Sequence, residues 1–296
     1  MWEELSAGFK EGFTVRVGIL VADLHIHSTA SDGSYSPQEI VAEALACGLS
    51  AISITDHDTV EGLKPAIEAA RGTGLELVPG VELNTDWEGT EVHILGYYLD
   101  YDAPWLQNFF SKLKQAREKR VRAILRKLND LGISLSYEQV EKVAGSGSIG
   151  RPHIARVIAD AGYASSPEDA FEQYLRREAP GYVPRQSIDP FTAIDIILEA
   201  GGVPVLAHPG LMGRDDLIPE FVEKGIIGLE VFYPKHTPEM IAKYSWYCRK
   251  FGLVITGGSD FHGPGFDYPP IGSCTVPQRT VEILKLLSQK IGGGIK

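Results

Sequence analysis

The chain has 296 residues and a formal net charge of −11, from 28 basic and 39 acidic side chains. This length allows a full hydrophobic core, and one α/β barrel with an insertion would account for all of it. The acidic charge argues against a generally basic surface for nucleic acids. It leaves a phosphorylated substrate possible, because bound divalent cations would be the largest local charges.

Several further classes are excluded by composition. No apolar run approaches about 18 residues, so we expect no membrane span. The predicted N-terminal extension, residues 1–18, lacks the apolar region of a secretory signal. The three cysteines are far apart and form no C-x-x-C motif, which is typical of reduced thiols. The sequence therefore predicts a cytoplasmic protein, and nothing in it indicates an obligate protein partner.

The first hundred residues alternate between apolar runs typical of strands and segments typical of helices. In chain order we predict a strand over 20–27, a helix over 37–48, a strand over 51–55, a helix over about 61–71, and strands over 75–83 and 91–99. The first helix has a capping box, because Ser36 precedes Pro37 and is followed three residues later by Glu39.

The alternation pauses over residues 103–190, which are predicted to be mainly helical, and it resumes after Phe191. Further strands are predicted over 203–207, 226–232 and 253–257, and a C-terminal helix over about 280–291. Repeated strand–helix units predict an α/β fold with about seven parallel strands, closed or nearly closed into a barrel. We therefore expect residues 19–102 and 191–296 to form the barrel and residues 103–190 to form a helical insertion domain.

Six of the eight histidines lie in short polar motifs that end or interrupt the predicted strands. The motifs are Asp23-Leu24-His25-Ile26-His27, Thr55-Asp56-His57-Asp58, Val92-His93-Ile94, Ala207-His208-Pro209 and Ser259-Asp260-Phe261-His262. Histidine is the commonest metal ligand, and carboxylates are natural partners for it. Because βα barrels keep their active sites at the carboxyl ends of the strands, the motifs predict one multinuclear metal centre. His93 is the exception, since it falls early in its strand.

Together with Ser31-Asp32-Gly33 and Gly80-Val81-Glu82, these motifs resemble the polymerase and histidinol phosphatase (PHP) superfamily of metal-dependent phosphoesterases. The resemblance covers nearly the whole chain and implies a distorted (β/α)7 barrel. It also implies two to three divalent ions, usually manganese, iron or zinc. The ligands that it implies are His25, His27, Glu82 and Asp260 for the first ion, Glu82, His93 and His208 for the second, and Asp32, His57 and His262 for the third.

The helical insertion and Gly150-Arg151-Pro152-His153-Ile154-Ala155 resemble one branch of this superfamily, which acts on nucleotide 3′,5′-bisphosphates and on the 5′ ends of short RNA. This implies hydrolysis of a phosphate ester such as adenosine 3′,5′-bisphosphate (pAp), or 5′–3′ exonuclease action. A hydroxide held between two cations would attack phosphorus. Glu82 and Asp260 would have catalytic roles.

Two other functions stay open. One is a histidinol-phosphate-type phosphatase of small metabolites. The other is a non-catalytic metal-binding accessory module, which would be expected to lack ligands. The helical insertion and its basic first helix favour the nucleotide function.

Several residues outside the ligand motifs are also candidates for the site. Lys235 and His236 follow a predicted strand, so they can bind the substrate phosphate, and His236 can act in catalysis by protonating the leaving oxygen. A surface loop is the equal alternative. Each acidic neighbour of the motifs is expected to orient a ligating imidazole through its other nitrogen. These neighbours are Asp23, Asp56 and Asp58.

Basic residues in the predicted insertion suggest how a substrate is bound. Residues 111–127 contain eight basic side chains and one acid, Glu118. This helix can guide a nucleotide or short RNA electrostatically, or it can be a solvated face that pairs with acids elsewhere. Arg151 lies at the start of a helix, where it can bind a substrate phosphate or form an ordinary salt bridge.

Overall fold

The computed structural model describes residues 20–145, 149–184, 188–264 and 269–293. The predicted extension over 1–18 lies outside these residues. The described strands are β1 (Val21–Ile26), β2 (Ala51–Ile54), β3 (Glu76–Trp87), β4 (Thr90–Tyr97), β5 (Val203–Leu206), β6 (Gly228–Phe232), β7 (Val254–Gly257) and β8 (Val276–Pro277). They form one sheet in the spatial order β7-β6-β5-β4-β3-β2-β1-β8.

The sheet curls until β7 approaches β1, so it forms a nearly closed barrel. Ile26 at the end of β1 bridges Phe261, just beyond β7. The backbone N–H of Asp260 donates to the carbonyl of His25 at 2.8 Å. Gly258 permits this approach, because a Cβ there would lie 2.4 Å from the backbone nitrogen of His25. The predicted α/β barrel is therefore confirmed.

Two strands do not run parallel to their neighbours, so the prediction of a parallel sheet is wrong for them. β4 is antiparallel to β3 and β5, and β8 is antiparallel to β1. The short connection between Trp87 and Thr90 permits only a hairpin, since parallel neighbours need a crossover of about a dozen residues or more. This reversal also accounts for His93. The beginning of an antiparallel strand lies at the same edge of the sheet as the carboxyl ends of its parallel neighbours.

Helices cover the outside of the barrel and build the insertion. They are α1 (Pro37–Ala46), α2 (Leu63–Ala70), α3 (Pro104–Asp130), α4 (Tyr137–Ala144), α5 (Arg151–Asp160), α6 (Pro167–Ala170), α7 (Pro190–Glu199), α8 (Pro209–Met212), α9 (Ile218–Lys224), α10 (Pro238–Phe251) and α11 (Gln278–Gly293). The capping box of α1 is present as predicted, with Ser36 and Glu39 each accepting the backbone N–H of the other. Within the described residues, no helix combines the length and apolar character needed to cross a bilayer.

The helices between β4 and α7 have an apolar core of their own. The second half of α3 packs there with α4, α5 and the π-helical turn Phe171–Leu175, through buried residues such as Leu128 and Ile154. The first half of α3 packs instead on the barrel, where Leu106 and Phe110 join the main core. This separate core supports a helical insertion, and its boundaries at residues 103 and 190 remain a prediction.

Leu128→Ala should destabilise the insertion. Leu128 is fully buried, and its side chain packs close to Gly181. We expect the free energy of unfolding to fall by about 2–5 kcal/mol, from lost burial and the cavity left behind. Urea denaturation followed by circular dichroism measures this loss. Leu131→Ala is the control, because Leu131 ends the same helix and is 49% exposed. A similar loss in both variants would contradict the assignment of a specific core.

Candidate metal centre

The carboxyl edge of the sheet brings all nine predicted ligand side chains together. His57 and His93 are partly exposed, and the other seven are buried. Burying so many ionisable groups is costly unless they are paired or coordinate metals. The cluster is therefore a site for positive charge.

Four buried side chains form the first ligand group: His25, His27, Glu82 and Asp260. The Nε2 atom of His25 lies 3.1 Å from Nε2 of His27 and 3.3 Å from Oδ1 of Asp260. The Nε2 atom of His27 lies 3.2 Å from Oε2 of Glu82. Two ligands each about 2.1 Å from one ion, at a tetrahedral angle, would lie about 3.4 Å apart. These atoms therefore have nearly the spacing of ligands around a single ion.

Two further groups adjoin the first and share residues with it. One comprises His27, Asp32, His57 and His262, and the other comprises His57, Glu82 and His93. The Nε2 atom of His208 lies 3.1 Å from Oε1 of Glu82, on the side of the group that contains His93. The grouping differs from the predicted sets in two ways: His27 and His57 each belong to two groups, and His208 belongs to none of the three. Both imidazoles thus lie between neighbouring candidate ion positions.

Three buried polar atoms in these groups lack a hydrogen-bond partner among the described residues. They are Nδ1 of His27, Oδ1 of Asp32 and Oε2 of Glu82. Buried polar atoms nearly always have a partner, so each of these needs an explanation. Bound cations would satisfy all three. The residues present therefore fit divalent ions, and a donor set of imidazole and carboxylate suits manganese, iron or zinc.

The charges of the cluster depend on one another. Burial disfavours a charged imidazole, but Asp260 and Glu82 outweigh it and raise the pKa of His27 to about 10. Glu82 likewise overcomes burial at His93 and raises its pKa to about 10. Burial also opposes ionisation of Glu82, yet imidazoles led by His57 hold its pKa well below the usual value. Without cations, imidazoles of the cluster stay protonated beside its carboxylates, and a divalent ion has to displace these protons in order to bind.

A buried carboxylate that sequence analysis missed orients two of the ligands. Glu230 in β6 is fully buried, and its Oε1 lies 2.9 Å from Nδ1 of His25. Its Oε2 accepts the backbone N–H of His208 at 2.8 Å. His208 has φ of +24°, a sparsely populated conformation that this contact helps to hold. The available signal was one acidic residue inside an otherwise apolar strand.

The acidic neighbours of the motifs do not orient imidazoles, so that prediction is wrong. Asp23 accepts the backbone N–H groups of Ser259 and Gly272, both at 2.9 Å, and thereby joins β1 to the loop after β7. Burial raises the pKa of Asp23 to about 6, against the effect of these hydrogen bonds. Asp56 accepts the backbone N–H of Ser28 at 2.8 Å and so shapes the loop after β1. These carboxylates accept backbone N–H groups of the loops that carry the ligands, because buried N–H groups there need hydrogen-bond acceptors.

Asp58 instead connects the insertion to a ligand through an amide. Its carboxylate forms a nearly buried ion pair with Arg117 of α3 and accepts the backbone N–H of Asn84 at 3.0 Å. The side-chain amide nitrogen of Asn84 lies 3.0 Å from Nδ1 of His57. Asn84, which the motifs did not indicate, therefore orients this imidazole together with Glu82, whose Oε2 lies 3.0 Å from the same ring nitrogen.

His236 has a structural position rather than the predicted catalytic one. Its Nδ1–H donates to the carbonyl of Val231 at 3.0 Å, and its Nε2 accepts the N–H of Gly210 at 3.1 Å. Neither ring nitrogen is left for a phosphate or a leaving oxygen, so both predicted roles are wrong. Its neighbour Lys235 is exposed, and phosphate binding by Lys235 stays a prediction.

An inner cavity of about 310 Å³ separates the ligand cluster from the insertion. The barrel contributes Asp32, His57, His93 and His262, and the insertion contributes Arg117, Arg120, Arg151 and Phe171. The guanidinium of Arg151 lies 5.0 Å from the ring of Phe171 and donates to the carbonyl of Leu175 at 3.3 Å. Basic groups thus face the candidate ion positions across a space of the size of a ligand pocket.

The basic residues of α3 divide between the two roles considered from the sequence. Lys114 pairs with Glu61 on the barrel at 2.9 Å, as a solvated face would. Arg120 instead lines the inner cavity, and its Nε donates to the carbonyl of Val183 at 2.9 Å. The helix therefore places part of its charge at the site and part against acids elsewhere.

Two relatives of known activity are similar to most of the chain. The chain is 36% identical over 252 residues to the 5′-3′ exoribonuclease Rnm of Escherichia coli (strain K12), which covers 83% of this chain and 86% of the relative. It is 34% identical over 249 residues to the 3′,5′-nucleoside bisphosphate phosphatase of Chromobacterium violaceum, covering 82% and 87% of the two chains.

A solved structure has the same fold. The crystal structure named as that of a metal-dependent phosphoesterase from Bifidobacterium adolescentis superposes with a TM-score of 0.83 at 30% identity. The match covers 90% of this chain and 96% of that one. The PHP domain model matches residues 23–176, which confirms the resemblance inferred from the motifs. By both its sequence and its fold, the chain belongs to the PHP domain family.

Proposed function

We propose that this protein is a metal-dependent phosphoesterase that hydrolyses 3′,5′-bisphosphate nucleotides such as pAp, 5′-phosphorylated short oligoribonucleotides, or both. The observation that carries the proposal is the inner cavity, where candidate metal ligands face three arginines. One end suits the reacting phosphate, and the other suits a second phosphate that is not cleaved. The activities of the relatives from E. coli and C. violaceum support this substrate class.

Two to three divalent ions, manganese, iron or zinc, are the proposed cofactors. His25, His27, Glu82 and Asp260 would hold the first, and Asp32, His57 and His262 the third, with His27 and His57 close to two positions each. Glu82, His93 and His208 would hold the second, because both imidazoles lie against Oε1 of Glu82. When bound, such ions supply a hydroxide at neutral pH and positive charge at the reacting phosphate. The full set of ligands argues against a non-catalytic accessory module.

The protein's own residues orient the site and bind the substrate. Glu230 fixes the ring of His25, and the hydroxyl of Tyr233 donates to Oδ2 of Asp260 at 3.0 Å, leaving Oδ1 directed at the imidazoles. Arg120 and Arg151 would bind an uncleaved phosphate, which is supported by their place in the lining of the inner cavity. Their fixed, forked guanidinium groups would place the second phosphate while the first reacts.

The protein also has features that fit a reducing compartment. Its three cysteines are free thiols. Structural disulfides are rare in the cytosol, where thiols are kept reduced. We therefore propose a cytoplasmic location.

Substrate preference tests the proposed function. With Mn²⁺, purified protein should hydrolyse pAp and a 5′-phosphorylated dinucleotide with higher kcat/KM than histidinol phosphate. Arg151→Ala should raise KM for pAp by about 10- to 150-fold, the cost of losing a charge-assisted contact, and should change KM for p-nitrophenyl phosphate little.

Arg156→Ala is the matched control for Arg151, because Arg156 is exposed on the same helix. It should leave both KM values unchanged. An equal loss on both substrates in Arg151→Ala would place Arg151 at the reacting phosphate or in the scaffold. A clear preference for histidinol phosphate would contradict the proposed substrate class.

Metal content should exceed one ion per chain and should depend on pH. The pKa values of His27 and His93, raised to about 10, mean that ions compete with protons throughout the neutral range. We expect the apparent affinity to fall by about tenfold or more for each pH unit below about 10, since each ligand proton must be displaced. Elemental analysis and metal titration at several pH values measure this. Fewer than one ion per chain after growth in Mn²⁺ or Fe²⁺ would count against the centre.

Glu230→Gln should weaken metal binding without unfolding the barrel. Glutamine keeps the shape but has one acceptor oxygen, so it cannot serve both His25 and the backbone of His208. Loss of such an outer partner typically costs about 10- to 100-fold in metal affinity. Competition with a chelator measures the change, independently of turnover. Glu223→Gln, an exposed change on α9, is the control and should bind ions like wild type. Unchanged affinity in Glu230→Gln would show that Glu230 does not orient the ligands.

A further inference from the structure

A second cavity adjoins the inner one on the side of the β3–β4 hairpin. This outer cavity measures about 420 Å³ and is lined by Asp86 and Gly89 of the hairpin and by Arg177 and Tyr182 of the insertion. None of the described residues that line it is a candidate metal ligand. Its size falls in the range of pockets for single ligands, as does that of the inner cavity.

The two cavities meet beside the metal centre. Glu91, Arg120 and Arg151 line both of them. The carboxylate of Glu91 lies 3.3 Å from Nε2 of His93, so this shared wall is next to a candidate ligand. A phosphodiester that reacts at the candidate ligands, at the Glu91 and His93 end of this wall, would have one nucleotide in the inner cavity and the next nucleotide in the outer cavity.

The groups of the outer cavity match the chemistry of a nucleotide. Tyr182 is half-buried, and the guanidinium carbon of Arg120 lies over its ring, 5.9 Å from the centroid, so the two side chains together offer an aromatic and a cationic surface. Stacking on such a surface binds bases without regard to sequence. Arg177 is exposed and donates to the carbonyl of Gly89, which directs its guanidinium toward the cavity.

The two acidic residues of the outer cavity do not neutralise the positive charge of its arginines. Asp86 accepts the N–H of Gly89 at 2.9 Å, and Glu91 lies against His93. Both carboxylates therefore have partners on the hairpin side. The three arginines approach from the insertion and outnumber them.

We propose that the outer cavity binds the nucleotide that follows the reacting phosphodiester, with its base on Tyr182 and its next phosphate on Arg177. This inference rests on the proposed function and narrows it to oligonucleotides. A mononucleotide bisphosphate fills the inner cavity alone, whereas a chain of two or more nucleotides fills both.

The test compares pAp with a 5′-phosphorylated trinucleotide, using Mn²⁺-loaded protein. Arg177→Ala should lower kcat/KM for the trinucleotide by about tenfold and leave pAp within about twofold of wild type. The salt dependence of trinucleotide KM should also weaken, by about 0.7 in the logarithmic slope, for one lost phosphate contact on a single strand. Tyr182→Leu should lower trinucleotide kcat/KM similarly, without the change in slope.

Arg176→Ala is the matched control, since Arg176 is the adjacent exposed arginine and pairs with Glu172 at 3.5 Å, outside the cavity. It should leave both substrates unchanged. Equal losses on pAp and trinucleotide in Arg177→Ala, the same loss in Arg176→Ala, or no loss would each overturn the second-nucleotide site. Those results would leave the proposed function standing as long as wild type hydrolyses pAp. Wild-type protein that hydrolyses neither substrate would overturn the proposed function itself.

Discussion

Five imidazoles surround the carboxylate of Glu82, at distances of 2.8–3.3 Å. They come from β1, from the loops after β2 and β5, and from β4. A carboxylate with no solvent exposure needs compensating charge from protons or metal ions, because burial alone strongly disfavours it. The registers of five neighbouring strands, β1 to β5, are therefore tied to one buried group. A slip of one residue in any strand would turn its ligand to the opposite face.

Much of this centre is encoded locally, which is why the sequence predicted it. The alternation of Asp23 and His25 in β1 with His27 directly after it places two imidazoles on one face whatever the rest of the fold does. The capping box of α1 is equally local and forms as predicted. The direction of β4 is the exception, because alternation of strands and helices predicts parallel pairing, whereas the short connection between Trp87 and Thr90 requires an antiparallel hairpin.

The contacts that orient the ligands could not be predicted in the same way. Glu230 meets His25 across 205 positions of sequence, and this depends on how the barrel closes. His236 was misassigned for the same reason, since only the fold shows that Val231 and Gly210 occupy both ring nitrogens. A residue's type and strand position indicate that it faces the site, but its partner is fixed by tertiary packing.

The insertion explains how an acidic protein can bind phosphate. Its arginines line one wall of the inner cavity, so the local charge is positive where the net charge of the chain is −11. The insertion is also connected to a candidate ligand through a chain of contacts. Arg117 pairs with Asp58, Asp58 accepts from Asn84, and the amide of Asn84 contacts His57. A shift of α3 would therefore change the orientation of the His57 imidazole, because these contacts are buried or nearly buried.

Protons and metal ions compete for the same centre, and this sets its dependence on pH. His27 and His93 have pKa values raised to about 10 in the folded, ion-free protein, against about 6.5 when unfolded. Their protons therefore stabilise the ion-free fold fully below about pH 6.5, and this contribution is lost as the pH rises toward 10. Ions bind best over that same upper range, since fewer protons have to leave. Bound ions would therefore replace the positive charge beside Glu82 that deprotonation of these imidazoles removes.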